Sequence, residues 1–166
     1  KEFESLVKNR NAFSIKPFLR AYDSILKEDI FDSVNELPFV IVGSGLAAIE
    51  VSYALRKRWG DRPLKLLCDS RKINNTILKS LRNSNIDLVE KLNFDYGKIL
   101  LCTGNTSPLW AQKKLLDSDS HGRIITNQNL QIKSFSGIFA VGDCAVVGSA
   151  KRPASGVFAV KVVNTL

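Results

Sequence analysis

The sequence predicts an α/β protein in which helices pack against a parallel β-sheet. Short apolar runs typical of buried strands alternate with longer segments in which apolar residues recur at helical spacing. The chain has 166 residues, of which 45% are hydrophobic, so it can bury a core of ordinary size. This alternation of strand and helix is typical of a parallel sheet covered by helices.

The predicted elements begin with a helical pattern within residues 1–37. Pro17 suits a first helical turn, and the apolar positions that follow it at helical spacing are Phe18, Tyr22, Ile25, Leu26 and Ile30. Residues 38–104 predict strands at 39–42, 64–68, 86–89 and 98–102, with helices at 46–59 and 73–82. The first strand, helix and second strand follow one another as a parallel βαβ arrangement requires.

The last third of the chain is less regular. Residues 105–137 are polar and rich in turn signals, so they predict loops. Residues 138–143, "IFAVGD", predict one more buried strand that ends in Gly-Asp. The final segment, "PASGVFAVKVVNTL", predicts a helix that starts near Ser155, whose side chain can cap it.

Charge and composition exclude several functions. The formal charge of +8 arises from 24 Lys and Arg against 16 Asp and Glu. Because the basic residues are scattered and aromatic residues do not interleave with them, we predict that the chain does not bind nucleic acid. The excess charge marks either an ordinary solvated surface or attraction for anionic cofactors or an acidic partner. A membrane span needs about 18 apolar residues, and every apolar run in the sequence is much shorter than that.

The cysteines and the single histidine predict no metal centre and no catalytic side chain. Cys68, Cys102 and Cys144 lie at the ends of apolar runs, without metal-ligand or CxxC spacing. We interpret them as small buried residues in a reducing compartment, which predicts a cytoplasmic protein and leaves a peripheral membrane location open. His121 lies in the turn-like stretch "DSDSHGR" and is interpreted as a surface residue.

A glycine-rich turn between the first strand and its helix carries the strongest functional signal. Its spacing is Gly43-x-Gly45-x-x-Ala48. The first glycine permits a tight turn, the second lets backbone approach a pyrophosphate, and the small third residue lets helix and strand pack closely. The N–H groups and the positive dipole end of the helix start, between Gly45 and Ala47, would hold the phosphates.

An acidic residue follows the second strand of this arrangement. The Asp69 carboxylate can accept hydrogen bonds from both hydroxyls of an adenosine ribose. A carboxylate there repels a 2′-phosphate, which favours NADH over NADPH, whereas Arg71 and Lys72 can reverse that preference by pairing with the phosphate. The alternative is an ordinary close-packed turn followed by a surface aspartate.

Three blocks of sequence resemble a known family. "VIVGSGLAAIE" resembles an NADH-binding fingerprint with a trailing Glu. "YGKILLCTGNTSPLW" resembles the strand that leads from the NAD domain back to the flavin domain, with Cys102 in place of Ala. "LQIKSFSGIFAVGDCA" resembles the second FAD motif. The chain is thus similar to the middle and C-terminal part of the two-dinucleotide-binding flavoproteins, the pyridine nucleotide-disulfide oxidoreductase family with its type II NADH dehydrogenases. The outer segments resemble an NADH-dehydrogenase-like domain fused to selenide, water dikinase.

The resemblance implies a Rossmann-like FAD/NAD(P)-binding three-layer fold with a parallel sheet. Residues 1–37 would be a helical lead-in from the flavin domain, 38–104 the NAD(H)-binding domain and 105–166 the C-terminal part of the FAD-binding domain. The residues implied to contact NADH are Gly43, Ser44, Gly45, Leu46, Ala48, Glu50, Asp69, Thr103 and Gly104. Those implied to contact FAD are Gly142, Asp143, Gly156 and Val157.

The resemblance implies a particular role for several of these residues. Glu50 either lies near the nicotinamide or is an exposed helix acid, and Thr103 and Gly104 would lie at the crossover beside the nicotinamide. Asp143 would bind the ribityl chain or phosphate of FAD. The amides of Gly156 and Val157 would point at the flavin pyrimidine and stabilise charge on the reduced ring.

The implied function is that of an FAD-dependent NAD(P)H oxidoreductase, which passes hydride from NADH to flavin and on to a small-molecule or quinone acceptor. The first FAD-binding βαβ unit is expected to precede Lys1, so this portion alone is expected to be inactive and colourless. A homodimer is a further expectation. Between Asp69 and Gly104 there is little room for the family's extra β-meander. The alternative is therefore a non-catalytic dinucleotide-sensing or interaction module beside another catalytic domain.

Overall fold

The computed structural model describes residues 6, 9–31, 37–104, 116–148 and 160–161, with backbone alone for 30 and 31. The chain divides into two compact units, Lys1–Gly104 and Asn105–Leu166. The assignment of these ranges to an NAD domain and an FAD domain stays a prediction. No helix among the described residues has the length and apolar character needed to cross a membrane.

The first unit is built on a five-stranded parallel sheet. Its strands are β1 (Ala12–Ser14), β2 (Phe39–Val42), β3 (Leu64–Leu67), β4 (Ile86–Val89) and β5 (Ile99–Leu101), in the order β1-β5-β2-β3-β4. Among the described residues, the α-helices whose bounds are given are α1 (Phe18–Phe31), α2 (Leu46–Trp59) and α3 (Asn75–Asn83). β2 lies at the centre, where Ile41 pairs with Leu66 on one side and Leu100 on the other.

The core fills both faces of this sheet. One face packs against the three helices through a buried cluster that includes Phe39, Ile41, Leu66, Ile49, Leu81 and Ile25. The other face packs against residue 6 and the segment 90–98, in a cluster of Leu6, Val40, Val42, Ile99 and Leu101 with Leu92, Phe94 and Tyr96 at its margin. The central strands β2 and β5 therefore read as continuous, fully buried apolar runs because both of their faces are covered.

Most predicted elements of this unit are confirmed, with small shifts at their ends. β2, α2 and β4 match their predicted bounds, whereas α3 begins two residues late. The reason for the shift is a cap: the Asn74 side chain accepts a hydrogen bond from Thr76 N–H at 2.8 Å, so the helix starts after it. The sequence did not predict β1, which adds a parallel edge strand beside β5.

The second unit differs from its prediction. Its strands are β6 (Ile124–Thr126), in a region predicted as loop, and β7 (Ala145–Val147), and the two pair in parallel. The predicted strand at 138–143 is wrong: Ile138 and Phe139 are 49% and 48% exposed, and a 3₁₀ turn at Gly142–Cys144 precedes β7. The segment makes one isolated antiparallel bridge, between Gln131 and Phe139, instead of a strand, and Ala140 joins the buried cluster of Ile124 and Ile132. The predicted helix start near Ser155 lies outside the described residues, although Val160 and Lys161 are helical.

Candidate functional site

The glycine-rich loop lies where the strand order of the first sheet reverses. Successive strands β3 and β4 lie on one side of β2, and β5 lies on the other side. The loop from Gly43 to Gly45 leaves the carboxyl end of β2 and enters α2 directly. In open parallel sheets, ligands bind outside the carboxyl ends of the strands at such a reversal.

Gly43 is required by the fold. Its φ is +147°, and a Cβ placed on it would lie 2.5 Å from the Cys102 carbonyl oxygen and 3.2 Å from the Ala48 Cβ. Three elements therefore meet at Gly43: the loop, the end of β5 and the first turn of α2. The buried Ala48 fits the same explanation, because a larger side chain there would separate helix from strand.

Gly45, in contrast to Gly43, is not required by contacts within the fold. Its backbone angles, φ −91° and ψ 171°, are open to any residue, and a Cβ on it would meet nothing within 4 Å. Folding therefore does not demand glycine at this position, and the space beside the helix start is open. The first amides of an α-helix lack intrahelical acceptors and lie at its positive end, and the first turn of α2 contains no acidic residue. The loop thus fits a closely approaching anionic group such as a pyrophosphate.

Ser44 ties the glycine loop to the end of the neighbouring strand. Its Oγ accepts a hydrogen bond of 2.9 Å from the Asp69 N–H. Asp69 in turn caps the 3₁₀ turn Ser70–Lys72 that follows β3. The sequence predicted Ser44 as a cofactor contact; the structure also gives it a positioning role, because its hydroxyl fixes the backbone that carries Asp69.

The Asp69 carboxylate is engaged by a basic neighbour. Arg71 donates from Nε to Oδ1 at 2.9 Å and from Nη2 to Oδ2 at 3.1 Å, and its backbone N–H also bonds Oδ1 at 3.2 Å. Lys72 Nζ lies 3.7 Å from Oδ2. The Arg71 hydrogen bonds lower the pKa of Asp69 below its ordinary value, so the group carries a negative charge at neutral pH.

A cavity of about 990 Å³ opens beside Asp69, at the carboxyl ends of β2, β3 and β4. Gly43, Ser44 and Asp69 line it together with Glu90 and, on its apolar side, Leu67, Leu92 and Tyr96. The Ser70 hydroxyl donates to Glu90 Oε1 at 3.1 Å and so joins the ends of β3 and β4. Sequence reasoning missed Glu90 and Tyr96; the available signal was that Glu90 directly follows a strand of the same sheet.

Three predicted NADH contacts lie elsewhere in the first unit. Glu50 is exposed on α2, and Thr103 and Gly104 are exposed directly after β5. The lining of the cavity, as far as the structure describes it, includes none of the three, and it also lacks Gly45, Leu46 and Ala48. Leu46, at the start of α2, is 70% exposed.

The predicted FAD contacts belong to the second unit. Gly142, with φ +75°, and the exposed Asp143 open the 3₁₀ turn before β7. Gly156 and Val157 lie outside the described residues. The structure therefore describes Gly142 and Asp143 as neighbours in a turn, and their role toward a flavin stays a prediction.

The cysteines offer no redox pair in the described structure. Cys68 and Cys102 are buried, Cys144 is half-buried, and all three are free thiols. Burial raises the pKa of the Cys102 thiol to about 11, so it stays protonated near neutral pH. The described residues include no group of His, Cys, Asp and Glu able to hold a metal ion.

The parallel sheet, its reversal at β2 and the glycine loop define a Rossmann-like α/β fold of the FAD/NAD(P)-binding kind. Thioredoxin reductase from Lactococcus lactis is similar in structure, with a TM-score of 0.62, 17% sequence identity and coverage of 84% of this chain and 53% of that one. This similarity confirms the predicted fold class.

Sequence comparison finds an oxidoreductase as well. The chain is 29% identical to a "Probable NADH dehydrogenase" of Dictyostelium discoideum, over 70% of this chain and 34% of that protein. The chain thus spans about a third of the length of this relative. No protein-family model matches the chain. The sequence similarity is to a protein named as a probable NADH dehydrogenase and the structural similarity supports the fold, and neither supports the resemblance to a domain fused to selenide, water dikinase.

Proposed function

We propose that the chain is the NADH-binding part of an FAD-dependent NAD(P)H oxidoreductase, which passes hydride from NADH to flavin and electrons on to a small-molecule or quinone acceptor. The observation that carries the proposal is the contrast between two glycines of one loop. Gly43 is explained by the contacts of the fold, whereas Gly45 faces open space at a helix N-terminus. A ligand that approaches the backbone explains the second glycine.

Each residue of the loop has a role in this proposal. The amides that follow Gly45, together with the positive end of α2, hold the pyrophosphate of NADH. Asp69 accepts hydrogen bonds from the adenosine ribose, and Ser44 positions it. Glu50, Thr103 and Gly104 lie toward the nicotinamide. Gly142, Asp143, Gly156 and Val157 contribute to FAD together with the remaining flavin domain of the same protein.

The chemistry of the proposed reaction belongs to the cofactors. A flavin accepts hydride from a nicotinamide when the two rings are held in contact, and the protein supplies binding, orientation and electrostatics. No side-chain acid or base is needed. The similarity to a protein described as a probable NADH dehydrogenase supports this class of reaction. The same proposal includes a cytoplasmic location, with peripheral membrane attachment as a variant. It also includes formation of a homodimer.

One observation favours a second candidate, a non-catalytic module that senses dinucleotide or binds another domain. Residues 90–98 connect β4 to β5 directly, and this short connection packs against the sheet. It leaves little room for the β-meander that the resemblance implies. Oxidation of NADH by the longer protein, with a flavin spectrum, supports the enzyme, whereas dinucleotide binding without oxidation supports the module.

The proposal is tested by Gly45→Val in the 166-residue chain. The branched side chain fits the fold, because nothing lies near it, but occupies the space where the pyrophosphate must lie. We expect an unchanged thermal unfolding temperature and a loss of NADH binding in a fluorescence titration. Gly97→Ala is the control, because its Cβ would make an ordinary 3.7 Å contact with Leu37 outside the loop. Parental NADH affinity in Gly45→Val would show that the loop is only a turn.

A further inference from the structure

The first half of α1 carries an apolar stripe that its own unit leaves exposed. Leu19 is 76% exposed, Phe18 60% and Tyr22 42%, and the half-buried Leu26 follows one turn later. These positions recur at helical spacing, so the side chains lie along one side of the helix. The rings of Phe18 and Tyr22 stack, with their centroids 6.1 Å apart. The four residues therefore form one continuous patch, and contiguous exposed apolar patches mark interaction surfaces.

Another side of α1 is fixed to its unit, which holds the stripe in place. Ile25 is buried in the core, and the buried carboxylate of Glu28 pairs with Arg62 at 3.1 Å. Near the end of the helix, Asp29 accepts hydrogen bonds of 2.9 Å from Arg58 of α2. Because the helix is anchored at several points, a partner that covers the stripe meets a preformed surface, and little ordering entropy is lost.

Two charges beside the stripe indicate which partner fits it. Arg20 and Asp23 are both exposed on α1, and Asp23 lies one turn after Leu19. A partner with a strong charge of one sign would attract one of these side chains and repel the other. A second copy of α1 avoids this conflict. When it runs antiparallel to the first and crosses it at Tyr22, Arg20 of each copy faces Asp23 of the other, as a two-fold axis requires.

The same antiparallel register also matches the apolar residues. Phe18 precedes Tyr22 by one turn and Leu26 follows it by one turn. A crossing at Tyr22 therefore places Phe18 of each copy against Leu26 of the other. One arrangement thus covers the stripe and pairs the charges beside it, so the surface is complementary to itself.

We propose that the stripe of Phe18, Leu19, Tyr22 and Leu26 is the contact surface of a homodimer in which two α1 helices pack antiparallel. The inference deepens the proposed function, because it rests on the homodimer included there and names the surface that forms it. Two 14-residue helices bury less than the about 1,200 Å² of a standard interface. We therefore expect a weak dimer whose population rises with protein concentration.

The first test is sedimentation velocity of the 166-residue chain over two decades of protein concentration. The mass of the wild type should rise from monomer toward dimer. Leu19→Gln keeps a good helix former but removes the most exposed apolar side chain of the stripe. It should weaken the dimer about tenfold or more, because the change occurs twice in each dimer. Val160→Gln is the matched control: Val160 is helical and 71% exposed but belongs to the other unit, so the dimer should be unchanged.

A charge exchange tests the antiparallel register. Asp23→Arg places like charges opposite each other twice in the dimer and should weaken it about threefold to tenfold. Adding Arg20→Asp to the same chain restores opposite charges across the axis, so the doubly substituted protein should dimerise like the wild type. A purely structural role of Asp23 within its own helix would not produce this rescue.

A wild type that stays monomeric at the highest concentration contradicts the inference. So does a dimer that keeps its affinity in Leu19→Gln, or one that the charge exchange fails to restore. Titration of the same proteins with NADH keeps this inference apart from the proposed cofactor site, because the stripe does not line the cavity beside Asp69. A monomer that binds NADH refutes the dimer surface alone, whereas a dimer without NADH affinity supports the surface and refutes the NADH site.

Discussion

The described parts of the two units differ in the buried core that surrounds their predicted cofactor residues. In the first, five parallel strands carry a core on both faces, and Phe39, Ile41 and Leu100 are fully buried. In the described part of the second, two short strands pair, and the buried cluster consists of Ile124, Ile132 and Ala140. Phe135, Ile138 and Phe139 of that unit are each more than two-fifths exposed.

The difference concerns what the described residues place around each set of predicted cofactor contacts. The glycine loop and Asp69 extend from strands β2 and β3, which are hydrogen-bonded to each other along their length. Gly142 and Asp143 lie in a short turn beside a two-stranded pair. Because binding sites on rigid elements hold their geometry, we expect the first unit to bind its cofactor without help from the second.

The largest effect is expected from Phe39→Ala, which removes a central side chain of the first unit. The Phe39 ring packs edge-on against Trp59, with centroids 4.9 Å apart, and against Phe13 at 6.2 Å. Loss of a buried Phe costs about 3–5 kcal/mol of unfolding free energy. Urea unfolding measures the loss. Phe135→Ala in the second unit is the counterpart; because its side chain is 43% exposed, it should cost less, about 1–2 kcal/mol. Equal losses would contradict the contrast between the units.

A smaller effect is expected from alanine at the two glycines of the loop. Gly43→Ala places a methyl group 2.5 Å from the Cys102 carbonyl oxygen at a positive φ, which should destabilise the first unit by about 1–3 kcal/mol. Gly45→Ala meets no atom and no backbone strain, and its gain in chain entropy is opposed by the poorer helix N-cap that alanine makes, so stability should stay within about 0.5 kcal/mol of the parent. Thermal unfolding of both variants checks the pair. Matching losses would mean that the fold demands both glycines, and the argument for a ligand at Gly45 would fail.

The smallest effect is expected from Asp69→Ser, which removes the ribose acceptor. The change should leave folding intact, because the side chain lies in a surface turn. NADH should bind about tenfold more weakly, and NADPH should gain relative to NADH because the repelling carboxylate is gone. Isothermal titration with each dinucleotide measures both constants. Asp87→Ser is the control: Asp87 pairs with Lys65 on the sheet and does not line the cavity. An unchanged preference between the dinucleotides would remove Asp69 from the site.

The sequence predicted the first unit well because its signals are local. Apolar runs bounded by small residues marked β2, β3 and β4, and helical spacing marked α1 and α2. The sequence did not indicate β1 because it has only three residues, two half-buried and one exposed, which give no periodic signal, and only its pairing with β5 defines it. In the second unit, the apolar run at 138–141 was misleading: Ala140 is buried, but Ile138 and Phe139 are about half exposed and the segment pairs only through an isolated bridge to Gln131.

The residues and contacts of the candidate site likewise divide into those that the sequence predicted and those that it did not. Gly43, Gly45, Ala48 and Asp69 follow from spacing along one strand–helix–strand segment. The contacts between segments were not predictable: the Cys102 carbonyl against Gly43, the bond from Asp69 N–H to Ser44, and the cavity wall from Glu90 to Tyr96. The ion pair between Arg71 and Asp69 was predicted only in part, because the sequence showed a cation near Asp69 but not that it donates hydrogen bonds to the Asp69 carboxylate.

Hydrogen exchange with and without NADH tests most directly whether the first unit alone holds the dinucleotide. Without ligand, amides of β2, β3 and β5 should exchange more slowly than those of β6 and β7, because exchange follows the local free energy of opening. With saturating NADH, new protection should be confined to residues 43–49 and 68–72, while residues 116–148 stay unchanged. Protection that appears in residues 116–148 instead, or no added protection at the glycine loop under saturating NADH, would contradict the proposed site.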